Sequence, residues 1–146
     1  MYASIVVGTD GSPTAEAALE RALELAKASG ACDVHVVSAY EPTRARVAGG
    51  APASESFDSS VGSDYKADVA LQRALDRSDA HGVRVEQHAP KGSAADALLA
   101  AAKEHDADLI VIGSVGMQGP RRVLGSVPNK VSHNAPCDVL IVQTAG

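Results

Sequence analysis

Two periodicities alternate along this chain, and the alternation restricts its fold more than any other feature. SIVVGTD (residues 4–10), DVHVVSAY (33–40), VRVEQHA (83–89), DLIVIG (108–113) and CDVLIVQT (137–144) are short runs rich in β-branched residues, and they read as strands. Between them, over residues 12–30, 65–82, 93–106 and 125–135, apolar residues recur every three or four positions, as one face of a helix requires. Ser12 can cap the first helix, Pro13 suits its first position and Gly30 suits its end. Strands that alternate with helices pair in parallel through right-handed crossovers, which puts helices on both faces. One doubly wound α/β domain over residues 1–146 is therefore expected, with a five-stranded parallel sheet. VRVEQHA alternates polar and apolar residues and so belongs near an edge.

One segment breaks the pattern. Residues 41–64, EPTRARVAGGAPASESFDSSVGSD, are dominated by Pro, Gly, Ala and Ser without a visible period. A flexible loop is expected there, either a lid or disordered chain.

Composition narrows the function. Aromatics are 3% of the chain and Trp is absent, so the core must be built from aliphatic residues. A net charge of −5 argues against a nucleic-acid groove, which needs a basic face. It does not exclude a small anion, because backbone N–H groups at a helix start bind phosphate without any basic residue. The first thirty residues lack a basic-then-apolar leader, and no run approaches the roughly 18 apolar residues that cross a bilayer. A cytoplasmic protein with no membrane contact is expected. Cys32 and Cys137 each precede an apolar run without CxxC spacing and read as reduced thiols.

Two strand ends carry unusual residues: GTDGS (residues 8–12) after the first and GSVG (113–116) after the fourth. Ligands of open parallel sheets bind beyond the carboxyl ends of the strands, where the strand order reverses. If both motifs serve one site, their strands are neighbours at that reversal, which gives the order 3-2-1-4-5. Neither GxxxxGK[ST] nor GxGxxG is present, so kinase-like and dehydrogenase chemistry lack support. Gly113 and Gly116 would let backbone pass close to a ligand, and Gly125 and Ser126 open a helix whose N–H groups favour an anion. A bound ligand and a tight, empty strand-to-helix connection fit these residues equally.

VVGTDGS, GSVG and GSVPNKVSHNAPCDVLIV, at these positions, resemble the universal stress protein family over the whole chain. The resemblance implies a Rossmann-like fold of the adenine nucleotide alpha hydrolase type, with the same 3-2-1-4-5 order. It also implies a homodimer through the last strand, and ATP or AMP as ligand, with Mg²⁺ accompanying ATP. Some members bind cyclic AMP instead, and one branch binds no nucleotide and acts as an interaction module. By the same resemblance, Gly8, Thr9 and Asp10 line the adenosine pocket, with Asp10 near the ribose. Ala39 offers backbone bonds to adenine, and Ile112 packs against the nucleoside. Gly113 and Gly116 make room for ribose and phosphates, while Gly125, Ser126 and Val127 hold the phosphates. The family signature is G-x2-G-x9-G-[ST]; here MQGPRRVL places eight residues between Gly116 and Gly125. The shorter loop is compatible with a turn absorbed at Gly119–Pro120, or with a pocket narrowed to a monophosphate or cyclic nucleotide.

Phosphoryl transfer needs a positioned water, a metal and a group that stabilises charge. Asp10 is the only acid of the expected site, and ribose recognition and capping of the following turn are both open to it. Arg121 and Arg122 either reach a phosphate or are solvated charges. His35, His81, His88, His105 and His133 show no metal spacing and read as separate surface or strand residues, so no metal site is expected. No nucleophile–base pair is visible. A non-enzymatic nucleotide-binding regulator is expected, with slow ATP hydrolysis at most. Its protein partner is not defined by the sequence.

Overall fold

In a computed structural model of the chain, which describes residues 2–40, 53–114 and 126–143, the alternation becomes a single sheet. Its strands are β1 (Ser4–Gly8), β2 (Asp33–Val37), β3 (Val85–His88), β4 (Leu109–Gly113) and β5 (Asp138–Val142). All pair in parallel, in the order β3-β2-β1-β4-β5. Among the described residues the helices are α1 (Pro13–Ser29), α2 (Ala53–His81), α3 (Ala94–Glu104) and α4 (Ser126–Asn134). This is the doubly wound 3-2-1-4-5 architecture that the two strand-end motifs imply.

Strand alternation divides the core in two. Ile5, Val7, Val34, Val36, Leu109 and Val111 face one side, where Ala18, Leu19, Ala22 and Leu23 of α1 and Leu71 and Ala74 of α2 cover them. Val6, Val37, Ile110 and Ile112 face the other side, against Leu98, Ala101 and Ala102 of α3 and Val131 of α4. Each such aliphatic side chain contributes about 1.5–3 kcal/mol on burial, which offsets the lack of aromatics.

The ends of α1 follow from its sequence. The Ala15 N–H donates to Ser12 Oγ at 3.2 Å, Pro13 opens the first turn, and Gly30 closes the helix at φ +88°. A charged seam ties α1 to α2: Arg77 donates to Glu16 at 2.9 Å and to Glu20 at 2.8 Å. Glu20 also pairs with His81 at 2.9 Å. The His81 contact and then the Arg77 guanidinium hold the Glu20 carboxyl below its ordinary range, against the opposing effect of burial.

Several boundaries differ from expectation. β2 ends at Val37, and Tyr40 forms a separate parallel bridge to Lys91. β3 is the outer strand on one side, as its alternation indicates, and β5 is the outer strand on the other. The larger difference is α2, which begins at Ala53 and not at residue 65. Pro52 lies just ahead of it, where a helix tolerates proline, and no proline interrupts residues 53–81. The Ser- and Asp-rich composition hides the period there without forbidding the helix. The rest of the expected loop, residues 41–52, lies outside the described residues. Among the described residues, no helix is long and apolar enough to cross a membrane.

Candidate functional site

β1 and β4 are neighbours whose chains leave in opposite directions, β1 through α1 toward β2 and β4 through α4 toward β5. Such a divergence leaves a crevice at the carboxyl ends of the strands. A cavity of about 210 Å³ opens there. That is smaller than the roughly 300–1,000 Å³ of sites that enclose a whole drug-sized ligand, so it suits part of one.

The GTDGS motif forms its first wall. The Thr9 N–H donates to the Val37 carbonyl at 3.0 Å, and Thr9 is buried. Its hydroxyl accepts from the Gly11 N–H at 3.2 Å, and Asp10 Oδ1 accepts from the Ser12 N–H at 2.8 Å. Gly11 takes φ +84°, a conformation that disfavours a side chain. These bonds turn the chain sharply from β1 into α1 and leave Asp10 exposed at the cavity rim. Asp10 therefore does serve the turn, and its second carboxylate oxygen has no bond to the turn.

The remaining walls are mostly aliphatic. Ala15, Val37, Leu98 and Ile112 line the interior, and Ala39 lies at the end of the β2 side. Two glycines keep this space open. A Cβ at Gly8 would stand 3.1 Å from the Leu98 methyls, and one at Gly113 would collide with Thr14 Cγ2. Ser126, Val127 and Pro128, the first turn of α4, close the far side, and that turn carries no acidic residue. Its N–H groups and dipole give this end of the cavity a preference for negative charge.

Gly8, Thr9, Asp10, Ala39, Ile112, Gly113, Ser126 and Val127 thus surround one space. Gly116, Gly125, Arg121 and Arg122 lie outside the described residues. Ser12, Ala15, Val37, Ala94, Leu98 and Pro128 also line the cavity and were not anticipated. A signal for some was present: Val37 is two residues from Ala39, the same face of an extended chain, and Ala94 and Leu98 are one helical turn apart. Among the described lining residues Asp10 is the sole carboxylate, with no His, Cys, Lys or Arg. The other polar side chains of that lining are the hydroxyls of Thr9, Ser12 and Ser126.

Cys32 and Cys137 are free thiols ahead of β2 and β5. Burial, reinforced by nearby carboxylates, pushes both above the ordinary thiol range, so neither is an activated nucleophile. The histidines depart from expectation. His35, His88 and His105 are not separate residues but meet one another and Glu86 on the α3 side of the sheet.

The model of the universal stress protein family matches residues 1–143. The chain belongs to the universal stress protein family. A universal stress protein of Mycobacterium tuberculosis is 36% identical over 145 residues, covering 98% of this chain and 97% of that protein. Universal stress protein YxiE of Bacillus subtilis is 33% identical over 148 residues, covering 98% of this chain and all of its own length (100%). Among solved structures, a universal stress protein crystallised in complex with cyclic AMP superposes with a TM-score of 0.75 at 35% identity. That likeness covers 99% of both chains.

Proposed function

We propose that this universal stress protein is a regulatory module that binds an adenine nucleotide in the cavity between β1, β2, β4 and α4. One observation carries the reading: the cavity joins an aliphatic slot, a carboxylate at its rim and a helix start without acidic residues. A purine ring fits between Val37, Leu98 and Ile112. Backbone at Ala39 lies where the ring edge would need hydrogen-bond partners. Asp10 Oδ2 accepts from a ribose hydroxyl, and the first turn of α4, with the Ser126 hydroxyl, receives phosphate.

The full-length likeness to a relative bound to cyclic AMP supports an adenine ligand with a compact phosphate, beside ATP and AMP. The eight-residue spacing between Gly116 and Gly125 favours the same smaller ligands. Where ATP binds with Mg²⁺, Asp10 is the one carboxylate of this lining that would help to hold the ion, which would offset phosphate charge. The described lining offers one carboxylate, Asp10, which the proposal commits to ribose, so binding itself is read as the activity, with hydrolysis slow at most. The nucleotide would bias a homodimer formed through β5 between states that a protein partner reads.

Isothermal titration of the nucleotide-free protein with ATP, AMP and cyclic AMP tests the proposal. At least one should bind saturably, one per chain. Failure of all three leaves a non-nucleotide interaction module.

A further inference from the structure

The strongest unassigned feature is the cluster on the opposite end of α3 from the nucleotide cavity. β2 and β3 pair with His35 opposite Glu86, and His88 follows Glu86 by two residues. All three side chains therefore project from one face of the sheet. His105 approaches from above, as the residue that ends α3. Its N–H donates to the Ala101 carbonyl at 3.0 Å, and its own carbonyl accepts from Ser4 Oγ at 3.4 Å. Those two bonds hold the His105 backbone in place, and its ring stacks on His35 with centroids 3.9 Å apart.

Three of the groups stand at the spacing of ligands around one ion. His35 Nδ1 lies 3.2 Å from His88 Nε2 and 3.3 Å from Glu86 Oε1, and His88 Nε2 lies 3.4 Å from the same oxygen. Zinc–nitrogen and zinc–carboxylate bonds are about 2.0–2.2 Å, and a tetrahedron's edge is about 1.6 times its bond length, so ligand atoms on zinc stand about 3.3 Å apart. One atom of His105 lies within 4.8 Å of the other three, and its ring, stacked on His35, turns on its side-chain torsions to join them around an ion.

Hydrogen bonds cannot occupy every edge of this triangle. Each ring nitrogen either donates or accepts, so at most two of the three edges carry a bond, whatever the tautomers. A cation at the centre satisfies all three lone pairs together. The carboxyl end of α3 adds the negative end of a helix dipole, which favours a cation there. Glu86 is exposed and His35 buried, so the ligands run from solvent to interior and provide an entry path.

We propose that His35, Glu86, His88 and His105 form a tetrahedral site for a divalent transition-metal ion, with Zn²⁺ as the fitting ion. Three imidazoles with one carboxylate suit Zn²⁺ and exclude Mg²⁺ and Ca²⁺, which take oxygen ligands. The site pins the edge strand β3 and the end of α3 to β2. Those elements also carry Val37 and Leu98 of the cavity wall, so metal and nucleotide share a scaffold.

The test uses the full, untagged chain stripped with EDTA and titrated with ZnCl₂ by calorimetry, with CoCl₂ as the optical probe. One Zn²⁺ per chain is expected, with the intense visible bands of tetrahedral Co²⁺. Glu86→Gln and His88→Ala should each weaken Zn²⁺ at least about tenfold, since losing even an outer-shell partner costs that much. Glu86 is exposed, so Glu86→Gln leaves the stripped protein with the parent's circular dichroism and unfolding midpoint. Absence of saturable Zn²⁺ binding, unchanged affinity in Glu86→Gln, or the weak spectrum of octahedral Co²⁺ would each overturn the proposal.

Discussion

Gly113 at the end of β4 lies so close to Thr14 of α1 that a side chain at Gly113 would meet Thr14 Cγ2, with the Thr14 carbonyl oxygen at 3.1 Å. The contact is with backbone as well as a methyl group, so a rotamer change cannot relieve it. Gly113→Ala must push α1 away from β4, an overpacking that costs about 1–3 kcal/mol. Urea unfolding should record that loss, and nucleotide affinity should fall with it because both walls of the cavity move. Thr14→Ser in the same chain removes the methyl but not the carbonyl and should restore only part of the stability. Gly8→Ala meets flexible Leu98 methyls instead and should be the milder change.

Asp10 accepts from the Ser12 N–H with one oxygen and also lines the cavity, so two substitutions separate its two tasks. Asp10→Asn keeps an oxygen for the turn but removes the charge. It should leave the unfolding midpoint within about 0.5 kcal/mol, as surface changes do. Nucleotide affinity should drop about 10–100-fold, the cost of a hydrogen bond to a charged group of about 1.5–3 kcal/mol. Asp10→Ala should lose affinity and stability together. Equal affinity in parent and Asp10→Asn, measured by calorimetry, would remove Asp10 from ribose recognition.

Most of the architecture was legible because it is local. The Ser12–Pro13 start of α1, its Gly30 end and the β-branched runs each announce themselves within a few residues. The cavity was half legible: GTDGS and the Gly113 and Ser126 motifs mark its mouth, but its walls come from ordinary Leu98 and Val37. The beginning of α2 was hidden by a Ser-rich composition that neither specifies nor forbids helix. The histidine cluster was illegible from spacing, because His35, Glu86, His88 and His105 come from three segments that only the strand order brings together. Once β2 is placed beside β3, the EQH run supplies the one local hint, two potential ligands on the same face.

Asp108, just before β4, accepts the N–H groups of Ala3 and Ser4, each at 3.1 Å. Burial raises its carboxyl, but those backbone bonds outweigh it, and the net displacement is below the ordinary range. A depressed folded value means that the ionised form carries the stabilisation. That contribution is fully present above the unfolded carboxyl's pKa of about 3.9 and disappears as pH falls through the folded value. Asp108→Ala should cost about 1–3 kcal/mol at pH 7. The gap between parent and variant in urea midpoint should hold constant down to about pH 5 and close below about pH 4. A gap that stays constant across that range would assign the loss to packing alone.

β5 is an outer strand with Val139, Leu140 and Ile141 half-buried, and an open groove beside it is lined by Tyr2, Leu25, Leu109 and Leu140. An apolar edge of this kind pairs readily with another chain. Two copies meeting through β5 would bury the groove and continue the sheet across the pair. A charge placed there must be desolvated in the dimer but stays in water in the monomer. Leu140→Lys should therefore weaken association at least about tenfold, or about 1.4 kcal/mol, and shift sedimentation profiles toward monomer over a dilution series. Because Leu140 also packs against the core on the α1 side, circular dichroism must first establish that the variant is folded. A parent chain that sediments as a monomer at every concentration would remove the β5 dimer, and nucleotide control would then act within one subunit.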